Sequence, residues 1–334
     1  MKRIVKLILV TIVMACVFVL ALRDAWDYLQ ASTLPISFYE ALTAHRLAST
    51  VLEPDPATSP TPSPTSTAKP EPVGTPTGIS FMGYQAYTYT SRGNSLTYYL
   101  YIPANYNPAK KYPLVLLLHG GGEKSNPQKT ALQNAQVLLG DPYAAVWSAD
   151  YNAPGNPHIQ EHWPCFVLVP QMKEGQVWVN INVHLGSYTQ PAQPSIPLML
   201  TKEILDGLQR EYSGIDSQRL YITGLSNGGV GTWDAIERWP NYFAAAAPIA
   251  GAGDPLKAFV LKNLPIWAFH GSADPTIPVS GSRQMIAAIE AAGGHPRYTE
   301  FAGQGHGVWG FVYSLGVSPL NVTGFYPWLF SQHK

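Results

Sequence analysis

The sequence predicts an α/β protein with a mostly parallel central sheet and helices on both faces. Three observations carry this. Leu114 to Leu118 and Phe166 to Val169 are short, continuous apolar runs, the pattern of strands buried on both sides. From Leu198 onward, strand-like and helix-like stretches alternate, as successive parallel strands joined by crossover helices require. The chain of 334 residues is 46% hydrophobic and 13% charged, enough for a substantial core and incompatible with wholesale disorder.

The N-terminus comes first in chain order. Lys2, Arg3 and Lys6 precede an uncharged run from Leu7 to Leu22. As a helix this run is about 24 Å long, slightly short of a bilayer core of roughly 30 Å, with Lys6 and Arg23 able to snorkel. The basic flank places the N-terminus inside and the rest outside. Residues 1–28 are expected to be a retained signal anchor, with two alternatives. One is a cleaved signal peptide, although no A-x-A site follows the run; the other is a lipoprotein signal ending at Cys16. Each exports the remainder, giving an extracytoplasmic protein, membrane-anchored or secreted. Residues 29–52 form a juxtamembrane segment, in which Phe38, Leu42, Leu47 and Val51 suggest a short amphipathic helix. In 53–78, seventeen of 26 residues are Pro, Thr or Ser, so the stretch reads as an extended linker reaching up to roughly 80 Å.

The folded domain is expected over 79–334. Phe81 to Thr90 and Leu96 to Pro103 are β-runs, read as antiparallel. The two buried strands follow, then a helix from Leu198 to Tyr212, a strand from Arg219 to Gly224 and a helix from Gly228 to Arg238. Strands at 243–249, 266–269 and 298–301 alternate with a helix at 282–292, and a last helix lies near 324–331.

Net charge is zero, with 21 basic and 21 acidic residues, which argues against nucleic acid as a partner. Two cysteines, Cys16 and Cys165, exclude a disulfide framework and a cysteine-based zinc site; Cys165 opens a buried strand and reads as inert. No phosphate loop, dinucleotide fingerprint or metal-ligand cluster is present, so no cofactor and no metal are expected.

The chemistry concentrates in one motif. Gly224-Leu225-Ser226-Asn227-Gly228 is a G-x-S-x-G between a strand and a helix. A serine on that turn is lifted clear of the sheet, and side chains two residues either side would strike neighbouring backbone, hence Gly224 and Gly228. Ser226 is the expected nucleophile. It needs a base, and His306, in the glycine-flanked loop after the last strand, stands where the chain order Ser, acid, His puts it. Asp274, in the loop after the penultimate strand, is the expected acid, with Asp254 the rival. His270, at a strand end, reads as structural, and His158, His162 and His184 as loop residues lining the pocket or facing water. For an oxyanion, Asn227 supplies one backbone N–H. The second is expected from His119-Gly120-Gly121-Gly122-Glu123, with Gly121 first choice and Gly122 second. The segments 124–164 and 172–197 are expected to overhang the site. Their aromatic residues would stack on a substrate or merely pack the loops; Glu123 and Trp178 are the candidates for substrate contact.

Five stretches resemble the α/β-hydrolase superfamily, within it the esterases grouped with polyhydroxybutyrate depolymerases, feruloyl esterases and so-called predicted peptidases. They are YPLVLLLHGGGE (112–123), CFVLVPQ (165–171), RLYITGLSNGGVGTWDAIERWPNYFAAAAPIAG (219–251), PIWAFHGSADPTIPVSGSRQM (265–285) and GHGVW (305–309). The resemblance implies Ser226, Asp274 and His306 as the triad and the loop at Gly121 as oxyanion contributor. Asn227 departs from it, since many relatives carry Met there. The implied activity is a serine carboxylic ester hydrolase working through an acyl-enzyme on a small-molecule or polymer ester. A serine peptidase on the same triad and a non-catalytic polymer-binding protein are the alternatives.

Overall fold

In the computed structural model, residues 73–334 are described. The expected anchor over 1–28, the juxtamembrane segment over 29–52 and most of the linker lie outside them. Among the described residues no helix is long and apolar enough to cross a membrane.

Nine strands form one sheet: β1 (Thr75–Phe81), β2 (Tyr84–Ser91), β3 (Asn94–Tyr101), β4 (Tyr112–Leu118), β5 (Phe166–Gln171), β6 (Ile215–Leu225), β7 (Ala245–Ile249), β8 (Trp267–Gly271) and β9 (Arg297–Phe301). Their order is β1-β2-β3-β5-β4-β6-β7-β8-β9. The first three strands and the β3–β5 pair are antiparallel; every pair from β5 through β4 to β9 is parallel. Helices α1 (Ala131–Leu139), α2 (Pro142–Ala145), α3 (Ile159–His162), α4 (Ile196–Glu211), α5 (Asn227–Arg238), α6 (Ser280–Ala291), α7 (Trp309–Val312) and α8 (Phe325–Phe330) complete the domain.

Strand alternation sorts the core onto two faces. Leu114, Leu116 and Leu118 of β4 pack with Ile204 and Leu208 of α4 and with Trp233 and Ile236 of α5. Val115 and Leu117 point the other way, toward Leu138 of α1, Trp147 and Leu329 of α8. Both faces are covered, as the unbroken apolar runs imply. Helix starts follow local chemistry. Thr130 and Gln133 form a reciprocal capping box on α1, and Ser195 caps α4 through the N–H of Leu198 at 3.3 Å, with Pro197 in the first turn.

Two expectations need correction. The linker does not extend to residue 78. β1 begins at Thr75, and Val73 is buried, its N–H donating to the Glu211 carboxylate at 3.0 Å and its carbonyl accepting from the Tyr98 hydroxyl. The Pro- and Thr-rich composition there was the mark of a spacer, but those residues form an edge strand, where proline is tolerated. The run from Phe81 to Thr90 is correspondingly two strands, turned at Met82-Gly83; a second tight turn at Arg92-Gly93 follows, all four residues having positive φ. A fragment beginning at residue 79 should therefore melt roughly 4–8 °C below one beginning at 73, from the lost burial of Val73 and part of β1. Equal melting temperatures by calorimetry would show that 73–78 contribute nothing.

The second correction concerns 124–164. This stretch is not simply an overhang, because it supplies α1 to α3 and puts Trp147 in the core, edge-on to Tyr313 and Tyr326 at 5.7 and 5.4 Å. Trp163 stacks on Phe330 at 5.3 Å. Cys165 is fully buried, and burial pushes its thiol up to about 12, so it stays protonated.

Candidate active site

The site lies at the C-terminal edge of the parallel strands, where four loops converge. β6 runs directly into Ser226, which adopts φ 55° and ψ −122° before α5 begins at Asn227. Positive φ is uncommon outside glycine and costs of order 1–3 kcal/mol, so the surroundings must enforce it. They do so sterically. A Cβ on Gly228 would lie 2.0 Å from the Leu118 carbonyl oxygen, and one on Gly224 would lie 2.4 Å from the Gly228 oxygen. The Ser226 N–H donates to the Ile249 carbonyl at 2.9 Å, anchoring the turn to β7. Ser226 occupies the position that would cap α5, yet its hydroxyl makes no cap bond. That hydroxyl lies 2.7 Å from His306 Nε2.

His306 arrives from the loop after β9, and its Nδ1 lies 2.7 Å from Asp274 Oδ2. Asp274 sits in the loop after β8. Its Oδ1 accepts from the N–H groups of Thr276 and Ile277 at 2.8 and 3.1 Å. Burial by itself would raise this carboxyl. The hydrogen bonds from His270, His306 and the two backbone donors outweigh it and hold Asp274 well below the usual carboxylate range. The stability it contributes is therefore present above about pH 4 and lost only as pH falls through that depressed value. The two loops are tied together: Ala273 donates to the Gln304 carbonyl at 3.0 Å, and a Cβ on Gly271 would come within 2.2 Å of the Gly305 oxygen. Gly271 is thus a positional requirement of the site, for which no motif in the sequence gives a signal. Trp309 stands edge-on to the His306 ring at 5.2 Å and limits its rotation.

Asp254 is elsewhere. It caps the short helix Pro255–Leu261 through the Leu256 N–H at 3.0 Å and accepts from Gln190 at 2.8 Å. Of the two acids weighed, only Asp274 reaches His306. His158 is exposed and pairs with Glu161 at 3.5 Å; His184 bonds the Thr276 carbonyl at 2.8 Å, against the acid loop.

The loop after β4 lies against the nucleophile: a Cβ on Gly120 would sit 3.6 Å from Ser226 Cβ, whereas Gly121 and Gly122 face open space. His119 orients this loop. It is fully buried, and burial pushes its ring down to about 4, so it is neutral at pH 7. Its Nε2 accepts the Met172 N–H at 3.0 Å, which leaves the proton on Nδ1 to bind the Gly120 carbonyl at 2.7 Å. In a trans peptide the carbonyl and the following N–H point oppositely. Holding the Gly120 oxygen toward His119 therefore turns the Gly121 N–H away from that ring. Asn227, the first residue of α5, lies at the positive end of that helix dipole.

Trp178 does not take the part expected of it. It is fully buried, its indole N–H donating to the His119 carbonyl at 2.9 Å and its ring edge-on to His119. Its own backbone N–H donates to Asn227 Oδ1 at 3.1 Å. A buried indole offers no face to a substrate; Trp178 instead ties the 172–197 segment to both the glycine loop and the serine turn. Glu123 is also turned inward in part. Its Oε2 is buried beneath Gly120 without a hydrogen-bond partner, and burial raises its carboxyl. Among the described residues no group of three or more His, Cys, Asp or Glu side chains could hold a metal.

This geometry can deprotonate an alcohol and deliver it to a carbonyl carbon. No protein-family model matches the chain. It is 26% identical over 179 residues to a bifunctional acetylxylan esterase/xylanase of Neocallimastix patriciarum, covering 54% of this chain and 21% of that protein. It is 30% identical over 167 residues to poly(3-hydroxyalkanoate) depolymerase C of Paucimonas lemoignei, covering 48% of this chain and 32% of that one. Among solved structures it is similar to a thermostable esterase at 36% identity and a TM-score of 0.59, over 75% of this chain and 64% of that chain. The chain thus spans a third or less of the length of these two curated relatives.

Proposed function

We propose that this chain, an α/β-hydrolase by fold, is a serine carboxylic ester hydrolase. The observation that carries the reading is the continuous array Ser226 Oγ, His306 Nε2, His306 Nδ1, Asp274 Oδ2, each contact 2.7 Å, assembled from three separate loops. In the proposed cycle His306 Nε2 accepts the Ser226 proton as Oγ attacks the ester carbonyl. The oxyanion forms against the N–H groups of Asn227 and of Gly121 or Gly122. The bond to the alcohol oxygen then breaks, and His306 returns the proton to that oxygen, leaving Ser226 acylated. A water deprotonated by His306 attacks the acyl carbon, and Ser226 leaves as the free hydroxyl with the acid product. Asp274 keeps the proton of the resting imidazole on Nδ1 and stabilises the imidazolium formed in each half-reaction.

Exposure supports an ester carried on a bulky or polymeric alcohol. Ser226 and His306 are half-buried and Gly121 and Gly122 are exposed, so the array is reached from the surface. The names of the curated relatives suggest acetylated xylan and poly(3-hydroxyalkanoate) as polymers to test. The apolar run at 7–22 and its basic flank support an extracytoplasmic location.

The test is a panel of p-nitrophenyl esters, a feruloyl ester, acetylated xylan, poly(3-hydroxybutyrate) and a peptide amide, with a fluorophosphonate label mapped by mass spectrometry. Ester turnover and a single label on Ser226 are expected. Amide cleavage as efficient as ester cleavage would make the chain a peptidase. An unlabelled Ser226 together with tight polymer binding would make it a binding protein.

A further inference from the structure

We infer that His270 is a positioning residue of the array, a resident imidazolium that shares the Asp274 carboxylate with His306. This rests on the triad reading above. His270 is fully buried at the end of β8, and its Nε2 lies 3.2 Å from Asp274 Oδ2, the same oxygen that meets His306, and 3.0 Å from the Ile277 carbonyl. Its Nδ1 lies 2.7 Å from Ser282 Oγ on α6, and that hydroxyl lies 3.1 Å from the Gly251 carbonyl oxygen.

Counting protons points to a doubly protonated ring. Both neighbours of Nε2 are acceptors only, so Nε2 must carry a proton. Ser282 has a single proton, and the Gly251 carbonyl can only accept it. If that proton goes to Gly251, the 2.7 Å contact at Nδ1 must be a donation from the ring. A neutral ring protonated on Nε2 would take the Ser282 proton and leave two oxygens facing each other at 3.1 Å. A neutral ring protonated on Nδ1 would set a lone pair against Asp274 and Ile277. Only the doubly protonated ring satisfies all four contacts with every donor directed.

The other charged groups around the ring fit this state. Glu300 on β9 lies beside His270 in register, its carboxylate held by Arg283 of α6 at 2.6 and 2.9 Å and by the Tyr298 hydroxyl at 2.8 Å. Asp274 is the anion in direct contact, and His306 lies across it. His270 keeps its protons through the cycle; the two protons that move are the one passed from Ser226 through His306 to the leaving alcohol and the one passed from water through His306 back to Ser226. Its effect is electrostatic and geometric. It fixes Oδ2 and, as a positive charge on the far side of the carboxylate, opposes the stabilisation that Asp274 gives an imidazolium at His306.

The experiment uses the full chain. In His270→Gln, kcat should fall on the order of 10- to 100-fold with KM little changed, as expected of a displaced acid. The acid limb of the kcat/KM profile should move upward by on the order of one pH unit. A loss of activity with the acid limb unmoved would reduce His270 to a packing residue. If that variant fails to fold, Ser282→Ala removes the acceptor for Nδ1–H and should move the acid limb the same way; no movement overturns the inference. Histidine ring 15N spectra of Ser226→Ala at neutral pH provide an arm independent of turnover. Two protonated nitrogens on His270 are expected, and one unprotonated nitrogen overturns the inference. Absence of ester turnover and of label on Ser226 in the unmodified chain would instead sink the esterase reading, while the spectra still decide the charge of His270.

Discussion

Ser226→Ala is expected to lower ester turnover by about a million-fold while the protein folds normally. The size follows from the proposed cycle, in which Ser226 Oγ is the atom that forms the acyl bond, so that only oxyanion stabilisation and substrate binding are left to act. The companion variant Ser226→Gly sharpens the test. Ser226 sits at φ 55° with its hydroxyl contributing no helix cap, so its conformation costs stability that glycine would not. Ser226→Gly should be equally inactive and more stable by about 1 kcal/mol, a rise of roughly 2–4 °C in melting temperature for a domain of this size. Kinetics and a thermal melt on the two variants check this. Turnover surviving in either would mean that another nucleophile acts, and a lower melting temperature for Ser226→Gly would mean that the turn is not strained.

Gly228→Ala should have the largest effect on the fold. Its new Cβ would meet the Leu118 carbonyl oxygen at 2.0 Å, the Leu118 carbonyl carbon at 2.5 Å and the His119 oxygen at 2.7 Å. All three are backbone atoms at the end of β4, so no rotamer change relieves the clash. Either β4 and its glycine loop or the start of α5 must move. Overpacking against rigid backbone exceeds the usual 1–3 kcal/mol of an extra methylene; a loss of about 4 kcal/mol or more is expected, with little native protein recovered. Any folded remainder should be inactive, because the displaced loop carries the Gly121 N–H. Gly121→Ala is the control. Its Cβ would meet nothing within 4 Å, so it should fold and melt like the parent. A stable, active Gly228→Ala protein would show that the serine turn tolerates a wider approach than the structure has.

These two outcomes separate what was legible in the chain from what was not. The serine turn was legible because its demand is local: two glycines, each two residues from the serine, are required by clashes within a single strand–turn–helix. Strand and helix order was legible for the same reason, since β4 and β5 carry unbroken apolar runs and α4 to α6 a helical spacing. The placement of Asp274 and His306 after successive strands followed from that order, and the loops do meet.

Trp178 was misjudged because nothing in its neighbours records that its indole would find the His119 carbonyl across 59 residues. β1 was missed because its sequence is that of a spacer, and it becomes a strand only by pairing with β2. The second histidine on Asp274 was invisible as a contact. His270 lies at the end of β8 and Asp274 four residues on in the loop that follows, and only the bend of that loop, packed under the chain at 304–305, brings Nε2 to Oδ2.

The sequence by itself determined the layered α/β architecture, the strained serine turn and the loops from which a base and an acid would come, because sterics and side-chain periodicity act over a few residues. Only the tertiary structure decided that Asp274 and not Asp254 meets His306, that Trp178 serves the interior, and that His270 shares the carboxylate. The first two are contacts between distant segments, the third is set by how the end of β8 and its loop bend against the chain at 304–305, and each depends on the path of the whole chain.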